Sequence, residues 1–161
     1  MTDRELDEDF RPDGGVTVRP QSNATARREK VRKELDAWRD KALRRDATQK
    51  VMRTLDVWGL DAREMAQLLG LSPASRGTLA RFRSGERVLS PVEDAWRRAM
   101  GILSIQRSLE VFAPENPEWR DDWVQQPIAG LGGERPIDIM LADGIGGIEQ
   151  VGRCATSLGH H

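Results

Sequence analysis

With 161 residues the chain has length for one ordinary domain or two small ones, and 38% hydrophobic against 32% charged residues allows a core beneath a mostly charged surface. Aromatics stop at five Trp and three Phe, and the single Cys154 cannot close an internal disulfide, which fits a reducing compartment. No run of about 18 apolar residues offers a membrane span, and residues 1–9 are acidic rather than signal-like, so a cytoplasmic protein with no membrane partner is expected.

The net charge of −1 conceals an asymmetry. Residues 1–23 carry three basic and six acidic side chains, residues 24–54 eleven and five, residues 55–112 eight and seven, and residues 113–161 three and eight. A basic stretch suits a polyanion, and the acidic end would be repelled by one. The two ends therefore face different partners.

Residues 1–23 have hardly any apolar side chains to bury and read as a flexible acidic tail. Residues 24–46 are strongly helical in propensity, with Val31, Leu35, Trp38 and Ala42 recurring at spacings of four, three and four. That narrow stripe on a charged helix is too short for an independent coiled coil, so it docks on the body or on a second copy. A next helix carries Val51, Leu55 and Trp58 and ends at Gly59. Asp61 with Glu64 three residues on has the form of a capping box for a helix over 62–69. Gly70 breaks that helix, and Ser72-Pro73 opens another over 74–84 with Leu79 and Phe82 inward. Ser90-Pro91 predicts a long helix from Val92 to about Phe112. Beyond it come a turn at Asn116-Pro117, a loop over 130–133, a helix from Pro136 to about Ala142, a separator over 144–147 and a last helix ending near Leu158. No segment alternates with period two for long, so the fold class is mainly α.

Residues 60–86 have the pattern of a helix-turn-helix, with Ala66 small enough for a close crossing and Gly70 permitting the turn. The second helix would present Arg76, Thr78, Arg81 and Arg83, types that fork onto guanine edges, pair with phosphates or donate to either. Leu79 falls nine residues after Gly70, where such proteins commonly place the matching apolar residue about six after it, so the turn is longer by roughly one helical turn. A structural helical hairpin that never touches DNA is the alternative for this segment.

Catalysis finds little to work with. There is no Tyr, both His are terminal, and no pair of carboxylates is set apart by an apolar setting. The loop GLGGER lacks the Lys-Ser/Thr of a P-loop. The expectation is no enzyme, no cofactor and no metal site.

The segments MAQLLGLS, TLARFRSGE, LSPVEDAWRRAMGILSIQRSLEVF, WRDDWVQQP, GLGGERPIDIML and GIGGIEQV together resemble the Xre/MbcA/ParS-type antitoxins, from about Val51 to the C-terminus. The most specific pieces are Trp123 to Pro127, then Gly132, Gly133, Pro136 and Asp138. Ile128 stands where the family usually has Asn after the proline. The resemblance implies a helix-turn-helix domain over 47–112 and a helical toxin-binding domain over 113–161. It further implies a type II toxin–antitoxin pair whose partner is a RES-domain toxin, similar to ADP-ribosyltransferases and using NAD. The antitoxin would block the toxin's NAD cleft and repress its own operon through operator DNA. An acidic module suits a basic dinucleotide cleft, and the charges available are Asp121, Asp122, Glu134, Asp138, Asp143 and Glu149, with Trp119 on the outside and Trp123 in the core. A homodimer, or a hetero-oligomer with toxin, is expected because paired half-sites favour even numbers. The rival reading is a stand-alone helix-turn-helix regulator with a ligand- or protein-binding C-terminal domain.

Overall fold

The computed structural model describes residues 15–72 and 76–160, with side chains from residue 23 onward. Seven α-helices and no strand occur among them: α1 (Gly15–Val57), α2 (Ala62–Leu68), α3 (Arg76–Ser84), α4 (Asp94–Phe112), α5 (Pro117–Asp122), α6 (Pro136–Asp143) and α7 (Ile145–Ser157). Short 3-10 turns lie at Trp123–Gln125, Ala129–Leu131 and Leu158–His160. Two compact units divide the chain, Met1–Ala42 and Leu43–His161.

The N-terminal elements differ from expectation. Up to residue 14 the expected tail lies outside the described residues; from Gly15 the chain is helical and does not pause at residue 46. Low apolar content excludes burial, not helicity, and a helix once nucleated adds turns at little cost. The continuation through 46–48 is supported by one local and one distant partner of Thr48. The hydroxyl of buried Thr48 donates to the Arg44 carbonyl at 2.7 Å and accepts the Leu89 N–H at 3.0 Å, so this polar residue is satisfied inside the helix. Val31, Leu35 and Trp38 stand 54%, 57% and 71% exposed, an uncovered apolar stripe.

Within residues 43–161 one apolar core is built from every helix except short α5. Val51, Met52, Leu55 and Trp58 enter from α1, Met65 and Leu68 from α2, Leu79 and Phe82 from α3, and Ala95, Ala99, Ile102, Ile105 and Leu109 from α4. Ile137, Ile139 and Met140 of α6 and Ile148, Val151 and Ala155 of α7 complete it, with Trp123 and Val124 of the turn after α5. Full burial of one large apolar side chain is worth roughly 1.5–3 kcal/mol, so this list dominates the stability of the unit.

Local rules explain most boundaries. Asp61 accepts from the Glu64 N–H at 2.8 Å while the Glu64 carboxylate accepts from the Asp61 N–H at 3.0 Å, the reciprocal capping box that the sequence predicts. Asn116 accepts from the Trp119 N–H at 3.1 Å and Pro117 takes the first position of α5. Helix α4 begins at Asp94 rather than Val92, because 90–93 close a turn with the Glu93 N–H on the Ser90 carbonyl at 2.9 Å.

The separator over 144–147 is shorter than expected. Only Gly144 breaks the helix, at φ 58°, and Gly146 and Gly147 lie inside α7. Gly147 has another reason to be glycine. A Cβ there would overlap the Ile139 carbonyl oxygen and sit 3.0 Å from Met140 Cα, so the missing side chain lets α6 and α7 touch backbone to backbone.

Candidate functional site

Helix α3 follows a turn in which the Leu71 N–H closes on the Ala66 carbonyl at 2.8 Å and Gly70 adopts φ 70°. A Cβ on Gly70 would meet Arg98 Nε at 2.9 Å, a side-chain end that can move, so it is the backbone that requires glycine. Residues 73–75, where the sequence places the lengthening of the turn, lie outside the described residues.

Leu79 and Phe82 anchor α3 in the core, 1% and 0% exposed, which turns Arg76, Gly77, Ala80, Arg81 and Ser84 outward. Arg76 and Arg81 are therefore presented together on the solvent face. Thr78 is half-buried and accepts from Arg87 Nη1 at 3.4 Å. Arg83 is differently placed. It grips Asp56 of α1 through Nε at 3.1 Å and Nη2 at 2.8 Å, a two-pronged bond that pushes the guanidinium pKa up from its already high ordinary value.

Other groups steady the same helix. The Arg87 guanidinium lies 5.6 Å from the centroid of the Phe82 ring. From α1, Gln49 Nε2 donates to the Arg83 carbonyl at 3.1 Å and Arg45 Nε to the Gly85 carbonyl at 3.2 Å, satisfying the C-terminal end of α3. Sequence reasoning missed Asp56, Gln49 and Arg45 as supports, because each partner is more than 25 residues away. Arg87 was nearer at hand: a cation five residues after an inward Phe.

The residues expected to face a toxin do not form one uniform patch. Trp123 is 3% exposed in the core, as expected. Trp119 is half-buried rather than outside, with its ring 5.4 Å from that of Phe112 at 44°; α4 ends close to α5 and the two aromatics share the seam. Asp122 accepts from Gln126 Nε2 at 2.7 Å, and Asp121 lines a groove with Lys50, Arg53 and Arg107. Asp138 is gripped by Arg135 at 2.8 and 2.9 Å, a pairing that raises the Arg135 pKa. Glu149 is paired with Arg97 at 3.0 Å. Glu134 and Asp143 are exposed, and Glu134 lends its carbonyl to the Ile128 N–H at 3.1 Å. The Gly132–Gly133 turn is closed by the Gly133 N–H on the Ile128 carbonyl at 3.0 Å, a tight connection as predicted.

Side-chain bridges tie α1 and α2 to later parts of the chain. Trp58 Nε1 donates to Gln106 Oε1 at 3.1 Å, Gln125 Nε2 to the Trp58 carbonyl at 2.9 Å, and Gln67 Nε2 to the Leu141 carbonyl at 2.9 Å. Half-buried Cys154 is held above its usual pKa by desolvation, which favours the inert thiol. Among the described residues no helix is long and apolar enough to cross a membrane.

Helix pair α2–α3 in front and a small helical module behind α4 define a DNA-binding domain joined to a protein-binding one. Residues 37–103 match the family model described as the antitoxin Xre-like helix-turn-helix domain, and residues 108–153 match the antitoxin Xre/MbcA/ParS C-terminal toxin-binding domain. The chain belongs to the Xre/MbcA/ParS-type antitoxins, which pair a DNA-binding domain with one that binds a toxin. No curated protein and no solved structure matches it.

Proposed function

We propose that this antitoxin neutralises a RES-domain toxin by covering its NAD-using active site, and that it represses its own operon through the α3 face. The reading rests on one observation above the rest: the module matched to toxin binding is packed directly on α4, the helix that closes the DNA-binding core. On the DNA side Arg76, Thr78 and Arg81 make the contacts, while Arg83, tied to Asp56, orients the helix that carries them. On the toxin side the net charge of −5 over residues 113–161 favours encounter with a basic dinucleotide cleft. Trp119, Asp121, Asp122, Glu134, Asp138, Asp143 and Glu149 supply that surface. No catalytic role falls to this chain, and it works in the cytoplasm.

The exposed stripe of Val31, Leu35 and Trp38 supports pairing with a second copy. A domain that binds toxin leaves the stand-alone regulator without support.

The test is direct. Purified with a RES-domain toxin, the chain should suppress NAD consumption in proportion to its concentration. Reversing Asp121 and Asp122 to Lys should slow association and leave operator binding intact. A toxin that keeps consuming NAD in a several-fold excess of this chain would refute the reading.

A further inference from the structure

Helices α4 and α7 leave an open trough between them of about 680 Å³, lined by Arg97, Gly101 and Ser104 on one wall and by Ile145, Gly152 and Arg153 among others on the second. On α4 the lining falls at spacings of four and three, and on α7 residues 145, 148, 149, 152, 153 and 156 keep to one face. At about 1.5 Å rise per residue the α7 wall runs roughly 16 Å. Each wall carries a glycine at mid-helix, and the two glycines differ in kind.

At Gly101 a Cβ would strike Ile148 Cγ2, so that glycine serves the internal packing of α4 on α7. At Gly152 a Cβ would meet only Ile105 Cγ1, at 3.9 Å, which is ordinary contact. Glycine inside a helix costs about 0.5–1 kcal/mol relative to alanine. Among the described residues nothing requires glycine at 152, so the open floor serves no packing there. The rim charges add a second, separate indication. Arg97 and Glu149 neutralise one another at 3.0 Å, and Arg153 makes no ion pair among the described residues, leaving the trough with one free cation. Five of the lining residues, from Ile145 to Arg153, belong to the segment matched to toxin binding.

We infer that this trough is where the toxin seats an apolar ridge of one of its helices, with a carboxylate of that helix reaching Arg153. The inference rests on the proposed toxin-binding reading and moves its centre from the acidic residues to the α4–α7 seam. Ridge-into-groove packing needs small residues on the floor, and Ser104 with Gly152 admits a close approach. The acidic surface then steers encounter and sets the on-rate, whereas the trough holds the bound state and sets the off-rate.

The experiment compares substitutions along the trough, using the full chain and a RES-domain toxin. Gly152→Ala should raise Kd several-fold while leaving the free chain at least as stable, because the added methyl group narrows the floor that the partner approaches. Gly152→Leu should raise Kd by about tenfold or more through faster dissociation, with operator binding and helical content unchanged. Thr156→Trp, on the same exposed face, should do likewise and covers the case in which Gly152→Leu fails to fold. Arg153→Glu should also speed dissociation. If wild type binds and both bulky variants bind equally tightly with unchanged dissociation rates, the trough is not the seat and the toxin-binding reading survives. If wild type forms no complex with that toxin, both fall together.

Discussion

Two glycines of α7, five residues apart, should respond to the same substitution in opposite directions. Alanine at 147 places a methyl group against the Ile139 carbonyl oxygen, with Ile139 C at 2.9 Å and Met140 Cα at 3.0 Å. All three neighbours are backbone, so none can rotate away, and α6 and α7 must separate. Overpacking of this kind costs typically 1–3 kcal/mol, and the upper end applies here because no side chain can yield. Removing a helical glycine returns about 1 kcal/mol, leaving a net loss of about 1–2 kcal/mol. For a unit of this size each kcal/mol moves Tm by about 4 °C, so Gly147→Ala should melt about 4–8 °C below wild type. At 152 the nearest atom is 3.9 Å away, and the gain of about 0.5–1 kcal/mol stands alone, raising Tm by about 2–4 °C. Thermal unfolding followed by helical circular dichroism, at one fixed concentration, measures both. A Gly147→Ala chain melting at or above wild type would refute the close contact of α6 with α7. A Gly152→Ala chain falling as far as Gly147→Ala would remove the contrast on which the open floor is argued.

Changing Arg76 and Arg81 together to Ala should weaken operator binding and flatten its salt dependence by about two units of slope if both meet phosphates; an unchanged slope counts against the α3 face. Arg83→Ala should act through stability instead. With both partners more than 40% exposed, a double-mutant cycle with Asp56→Ala should give a coupling of only about 0.2–1 kcal/mol in thermal or urea unfolding, and a salt slope reduced as much as by Arg81→Ala would make Arg83 a direct contact. Since desolvation raises the Cys154 pKa, its thiolate fraction at pH 8 is lowered and alkylation by iodoacetamide should run several-fold slower in the folded chain than in urea; equal rates would contradict that environment.

What the sequence disclosed was local chemistry. The capping box at Asp61 and Glu64, the Asn116-Pro117 start and the inward Leu79 and Phe82 each depend on neighbours within a few residues, and each is present in the structure. Trp123 was legible as core for a similar reason, since it sits among the patterned residues of its own module. Longer reach failed. The unbroken α1 depends on Thr48 finding the Leu89 N–H, 41 residues on. Gly146 and Gly147 read as a loop because glycine signals a turn and a close helix contact with the same letter, and only the Ile139 carbonyl tells them apart. The candidate site was legible as residue types but not as partnerships. Arg83, Asp138 and Glu149 each carry an ion pair, which changes what a free charge at those positions can do. The trough between α4 and α7 was invisible, because two glycines on separate helices mean nothing until those helices lie side by side.

Helix α4 has a practical meaning for dissecting this molecule. One flank of it faces Trp58 through Gln106, and the other packs along α7. A chain cut after residue 112 would strip cover from Ile102, Ile105 and Leu109, and a fragment beginning there would lack its floor. Deletion would thus spoil both activities at once and mimic cross-talk that need not exist. Only single side-chain changes can tell DNA binding and toxin binding apart.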